Sequence, residues 1–285
     1  MALFPGRTEL VKELYENDGG NDDPIILHAD IVHRTERWAE KARAQYEQAL
    51  AARQLIDFVR FFRVAIFGSA QLRPENKESR FISDLTKALV EARPIDVVTG
   101  GGQGIMEAAN EGLELARQER ESNGSACDAK NHGLLVELPH EETGNKYLHL
   151  KTKHVHFSTR LQDFVSRIHG AYLAQGGYGT LLEKLFLLQL KQVKHLEQSF
   201  PIIAHSCWEE IIELVCEKLY HERKKNDEIP LIDEKDLNLI HFTDDIEEIV
   251  GIFAKKYDLW KKCVRDRVRY VTDSTPTIPD PSPQS

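Results

Sequence analysis

From Arg63 onward the chain alternates short apolar runs with longer stretches of helical period. VAIFG (64–68), the apolar start of IDVVTGGGQG (95–104), GLLVELP (133–139), AYLA (171–174) and PIIA (201–204) read as strands, and KHVHF (153–157) is a further candidate. Between them, periodic stretches predict helices over 76–92, 105–118 and 159–170, one opening after Gly177, and one from near Trp208. In the 105–118 helix, Ile105, Met106, Ala109 and Leu113 share a face. Several of these strands are almost continuously Val, Ile and Leu, which indicates a sheet covered on both faces. Strands separated by helices then predict an α/β fold: a Rossmann-like parallel sheet with helices on both faces. Glycines follow several strands at their carboxyl ends, the edge where open α/β sheets bind ligands.

The flanks read differently. Residues 1–30 are mixed and acidic, with a loop-like NDGGNDDP at 17–24. Residues 30–62 are helical in pattern, with Trp38, Ala42, Tyr46, Leu50 and Leu55 near helical spacing, as one helix or two. The predicted organisation is an N-terminal helical arm over 1–62, a Rossmann-like domain over 63–271 and a disordered tail over 272–285. The arm packs on the core or across a partner, and the pattern does not choose. The tail carries Pro, Ser and Thr without apolar anchors. ERESNGSACDAKN (119–131) reads as an exposed loop, and 208–265 as mostly helix and acidic loop.

Composition narrows the partners. With 285 residues, 41% hydrophobic and 29% charged, the chain is an ordinary globular one. Its net charge of −9, without a basic stripe, argues against a nucleic-acid partner. No apolar run is long enough to span a membrane, and MALFPGRTELVKEL lacks the layout of a signal peptide, so the expectation is a cytoplasmic protein. Cys127, Cys207, Cys216 and Cys263 form no CxxC pair and suit neither a metal site nor a disulfide framework.

Three junctions of strand and glycine carry the candidate chemistry. They are Gly68-Ser69, the run from Thr99 through Gly101, Gly102 and Gly104, and Gly176-Gly177-Tyr178-Gly179-Thr180. A glycine turn that opens a helix offers free N–H groups and a positive dipole end to a phosphate. The P-loop string GxxxxGK[ST] and the dinucleotide string GxGxxG are both absent, so a mononucleotide fits better than a dinucleotide. Glu183 has two readings. Thr180-Leu181-Leu182-Glu183 matches a T-x-x-E capping box, and the same Glu sits beside the proposed phosphate turn. Arg160 alone reads as a surface arginine, and His154 and His156, two apart on a candidate strand, do not make a metal site.

VAIFGSA, VVTGGGQGIMEAANEG, VELPHEETGN, Arg160 and QGGYGTLLE together resemble the LOG ("Lonely Guy") family, over about residues 63–215. Its members are phosphoribohydrolases acting on nucleoside 5′-monophosphates, long mislabelled as lysine decarboxylases. The VELP stretch is more similar to the longer bacterial branch, with its broader nucleotide 5′-monophosphate nucleosidases. The resemblance implies catalytic roles for Arg160 and Glu183, whose separation of twenty-three residues agrees with the family pattern. The family's RK pair is Arg160-Leu161 here, and its PGG is Gln175-Gly176-Gly177, so a lysine and a proline are replaced.

The resemblance further implies hydrolysis of an N-glycosidic bond to free base and ribose 5-phosphate, through a ribosyl cation-like transition state. Gly176, Gly177, Gly179 and Thr180 would then cradle the 5′-phosphate, with Gly68 and Ser69 completing that side. Thr99, Gly101, Gly102 and Gly104 would form the opposing wall, with Met106 and Glu107 near base or ribose. No metal or organic cofactor is required, and a homodimer or higher homo-oligomer is implied. The alternative is a non-catalytic nucleotide- or cofactor-binding module, as in the molybdenum cofactor carriers of the same superfamily. A decarboxylase reading is weak, since no pyridoxal lysine with a pyridinium partner is evident.

Overall fold

A computed structural model describes residues 60–137 and 144–273, all within one unit of the chain, Gln54–Ser285. The predicted arm lies outside the described residues except for 60–62, and the predicted tail except for 272 and 273, which end the last helix.

Seven strands form one sheet: β1 (Arg63–Phe67), β2 (Asp96–Thr99), β3 (Asn131–Val136), β4 (Leu150–His154), β5 (Gly170–Leu173), β6 (Ile202–Ala204) and β7 (His241–Phe242). Their order is β4-β3-β2-β1-β5-β6-β7, and every pairing is parallel. Ala65 on β1 lies opposite both Val98 on β2 and Ala171 on β5, so β1 is central. The order turns back between β1 and β5. At such a switch point the connections leave towards opposite sides and a crevice opens beyond the strand ends.

Successive strand residues feed the two faces, as the pleat requires. Val64, Ile66, Val97 and Tyr172 join one core cluster, while Ala65, Phe67, Val98 and Leu173 join the other. The first face is covered by α1 (Lys77–Ala92), α2 (Ile105–Ser122) and α7 (Ile246–Asp273), through Ile82, Leu89, Leu113 and Phe253 among others. The second is covered by α3 (Phe157–Arg167) and α4 (Tyr178–Gln192), through Phe164 and Leu187, together with Trp208. Full burial of each such side chain is worth roughly 1.5–3 kcal/mol. The doubly covered, all-parallel sheet is the Rossmann-like α/β architecture that the apolar runs predict.

Several element boundaries differ from the sequence expectation. α2 continues through Ser122, into the stretch expected as loop, because Arg120 donates to the carbonyls of Val90 and Glu91 and docks the last turn on α1. α3 starts at Phe157, and the strand expected at 153–157 runs instead from Leu150 to His154. Beyond Trp208, α5 (Glu209–Cys216), a π turn (Glu217–His221) and α6 (Glu222–Lys225) precede a two-residue β7 that the sequence reading lacks. No described helix is long and apolar enough to cross a membrane.

Candidate functional site

The crevice beyond β1, β2 and β5 contains a cavity of about 390 Å3, lined from all three glycine junctions. Ser69 and Gly68 come from the end of β1, Gly100 and Gly102 from β2, and Gly177, Tyr178 and Gly179 from the turn after β5. Pockets of this size hold ligands of nucleotide scale. Two backbone hydrogen bonds join the loops across the crevice: Ser69 N–H donates to Gln175 O at 2.9 Å, and Ile105 N–H to Ser69 O at 3.0 Å.

α4 begins at Tyr178, directly off the strand, and Gly176 leaves room for the Thr180 side chain of its first turn. Gly177 is the N-cap, extended at φ −99° and ψ −150°, and no side chain caps the helix. The first helical N–H groups therefore have no intrahelical acceptor and point at the cavity end, where the helix dipole is positive. This removes one of the two readings of Glu183. Thr180 is the third residue of the helix rather than its cap, so the T-x-x-E string is not a capping box here. Thr180 is instead buried, its hydroxyl folded back against Gly176.

Glu183 lies one turn further on and faces Arg160 from α3, with Oε1 and Nη2 3.8 Å apart. Both side chains are nearly enclosed, 13% and 12% exposed. At that separation the charges attract without closing a hydrogen bond. Burial pushes the Glu183 carboxyl up to about 7, with the Arg160 charge opposing the rise. Arg160 sits over the rings of Phe157 and Phe164, and its guanidinium packs against the Cα of Gly100, where any side chain would collide with it. α3 is fixed from behind: Asp163 binds His154 Nε2 at 3.0 Å and Arg167 Nε at 2.6 Å. His154 thus has a carboxylate partner, and His156 is the residue preceding α3.

Of the residues singled out from the sequence, Gly68, Ser69, Gly102, Met106, Arg160, Gly177, Gly179, Thr180 and Glu183 line the cavity. Thr99, Gly101, Gly104, Glu107 and Gly176 do not. Thr99 is fully buried, and its hydroxyl accepts from Gly101 N–H and donates to Asn110. Gly101 and Gly104 have φ of +77° and +69° and shape the turn. Gly176 makes room for the Thr180 side chain, and Glu107 is half-buried outside the lining. The cavity adds Gln71, Gly100, Phe157, Leu161, Tyr178 and Leu182. Tyr178 is 93% exposed. In the sequence its one signal is its place between the glycines of the third junction. Among the described residues no cluster of His, Cys, Asp and Glu could hold a metal ion.

The fold and cleft define a doubly wound α/β protein with a glycine-lined pocket at its switch point. No protein-family model matches the chain, and no curated protein matches it by sequence. Solved structures resemble it in fold. The structural-genomics target TM1055 is 20% identical, with 68% of this chain and 99% of that one covered at a TM-score of 0.46. The molybdenum cofactor binding protein from Rippkaea orientalis is 14% identical, covering 69% and 97%, with a TM-score of 0.46. The molybdenum cofactor carrier protein from Chlamydomonas reinhardtii is 13% identical, covering 70% and 99%, with a TM-score of 0.47. At such distances, what the cleft does has to be read from its own side chains.

Proposed function

We propose that the protein hydrolyses the N-glycosidic bond of a nucleoside 5′-monophosphate, releasing free base and ribose 5-phosphate. The observation that carries this reading is the nearly enclosed Arg160–Glu183 pair, one helical turn from an uncapped, glycine-built helix N-terminus. A phosphate site alone needs no carboxylate beside it, and a buried anion is costly unless used. The resemblance to the LOG family points to the same two residues.

In this reading the 5′-phosphate sits on the first-turn amides of α4, from Gly177 to Thr180, with Gly68 and Ser69 opposite. Gly176, Gly101 and Gly104 shape the turns, and Thr99 braces the second one. Anchoring at the phosphate holds the sugar in place, so binding energy remote from the reaction serves the reacting carbon. C1′ then lies towards Glu183. As the C1′–N bond breaks, its electron pair leaves with the base and positive charge builds on the ribosyl carbon. The Glu183 carboxylate stabilises that charge and takes a proton from the water that attacks C1′; the departing base nitrogen then takes up that proton, which returns Glu183 to its carboxylate. Arg160 donates to the substrate and holds Glu183 partly ionised. Phe157, Leu161, Met106 and Tyr178 give the base an apolar wall.

The test is incubation of the purified protein with AMP, GMP, CMP and UMP, following base and ribose 5-phosphate. Release from at least one supports hydrolysis. Tight binding with every nucleotide intact would make the cleft a binding module instead.

A further inference from the structure

The turn that carries Gly176 and Gly177 is flexible in composition, with two adjacent glycines and no capping side chain. Its backbone is tied at Gln175 O to Ser69, and at Ala174 O to the indole N–H of Trp208 at 2.8 Å. Its polar side-chain tie runs through Gln175 to His205. The Gln175 amide lies 3.4 Å from His205 Nε2. That nitrogen is also 3.2 Å from Glu78 Oε2 and 3.5 Å from Asp244 Oδ1.

Four segments meet at this one ring. Glu78 is in the first turn of α1, Asp244 lies just before α7, His205 follows β6, and Gln175 opens the β5–α4 turn. The ring's hydrogen is placed by its other nitrogen: Nδ1 accepts from Cys207 N–H at 3.0 Å, so the neutral ring carries its hydrogen on Nε2. The single Nε2–H points chiefly to Glu78 Oε2, the nearest of the three at 3.2 Å, and the Gln175 amide packs against the same nitrogen with its oxygen turned inward. Asp244 is fixed in turn by Ser206 N–H, at 2.9 Å. The ring is 14% exposed and lies outside the lining of the cavity.

We propose that His205 is a positioning residue for the phosphate turn, acting through Gln175 on Gly176 and Gly177. This rests on the reading of that turn as the phosphate site. Clamped between the starts of two helices, the imidazole holds Gln175, and Gln175 holds the spacing at which the α4 amides converge. Without the clamp the glycine pair samples wider backbone angles, and the amides must be ordered anew for each phosphate bound.

Two variants isolate the effect. His205→Asn keeps an acceptor for Cys207 N–H, as an Asn cap does, but is too short to reach Gln175 and Glu78. Gln175→Met keeps side-chain length and loses the polar tie. Affinities for ribose 5-phosphate, AMP and adenosine are measured calorimetrically, with kcat and KM for whichever nucleotide is cleaved. Both variants are expected to bind ribose 5-phosphate and AMP about 5–10-fold more weakly and to bind adenosine unchanged, because only phosphate contacts depend on the clamp. KM should rise while kcat stays within about twofold, and His205→Gln, which reaches the partners again, should recover most of the loss. Unchanged ribose 5-phosphate affinity, or an equal loss for adenosine, overturns the proposal while leaving the phosphate site standing. A wild-type protein that binds neither phosphorylated ligand removes the phosphate site, and the positioning role with it.

Discussion

The two glycine turns facing each other across the cleft use glycine for different reasons. After β2, the glycines serve the fold. Gly104 has φ +69°, and a Cβ there would run into Ser69 O and the Ala70 carbonyl. The neighbouring carbonyls of Gly101 and Gly102 accept from Asn145, which also bonds Asn110 at 2.9 Å, within a buried network that includes Thr99 and Asn131. After β5, Gly177 has negative φ, and a Cβ on it would meet nothing within 4 Å. The same holds for Gly179. The fold does not demand glycine at these two positions. Space kept open beside free helix amides is what a close-fitting anion needs.

Substitutions at the two turns can break this contrast. The largest effect is expected for Gly104→Ala: left-handed backbone plus a backbone collision should cost roughly 3 kcal/mol or more, read from denaturant unfolding. A Gly104→Ala protein of normal stability would erase the distinction. Next comes the charge that the site keeps at the expense of the fold. The Glu183 carboxyl is raised from 4.5 to about 7 in the folded chain, so the native state holds its proton longer than the unfolded state does. Its contribution is therefore most favourable below about pH 4.5 and is lost as pH rises through about 7. Glu183→Gln should match wild type near pH 4.5 and exceed it by up to about 3 kcal/mol at pH 8. Equal stability of the two proteins across that range would show that the carboxylate is comfortably solvated. The smallest stability change belongs to Gly177→Ala, within about 0.5 kcal/mol of wild type, because the backbone there suits any residue. The same methyl would enter the space proposed for the phosphate, so ribose 5-phosphate affinity should fall by about tenfold or more. Unfolding and calorimetric titration of one preparation give both numbers.

The sequence and the structure agree most closely where burial is complete. Val64, Ile66, Val97, Val98, Leu173 and Ile203 belong to short apolar runs, and each is fully buried in the doubly covered sheet. Legibility fails where an element is too short to show a period, as with His241–Phe242, or where a distant partner extends it, as Arg120 does for α2. The site follows the same rule. The glycines and the helix that follows them are legible from local chemistry alone. Whether Glu183 caps that helix depends on where the helix begins, and the T-x-x-E string misplaces that start by three residues. Arg160 becomes a partner of Glu183 only once α3 and α4 are docked on one face of the sheet. His205 is thirty residues from Gln175, and nothing local in either segment signals that they meet.

The central claim is that Glu183 acts as a charged group in glycosidic cleavage rather than as a structural one. The direct measurement compares wild type with Glu183→Gln at pH 8, each saturated with the nucleoside monophosphate that the wild type cleaves best, following ribose 5-phosphate over time. Glutamine keeps the size and most hydrogen bonds but removes the negative charge and the proton acceptor. The account predicts that kcat falls about 100-fold or more while the nucleotide still binds and the protein is at least as stable. Turnover by Glu183→Gln close to that of wild type would contradict it.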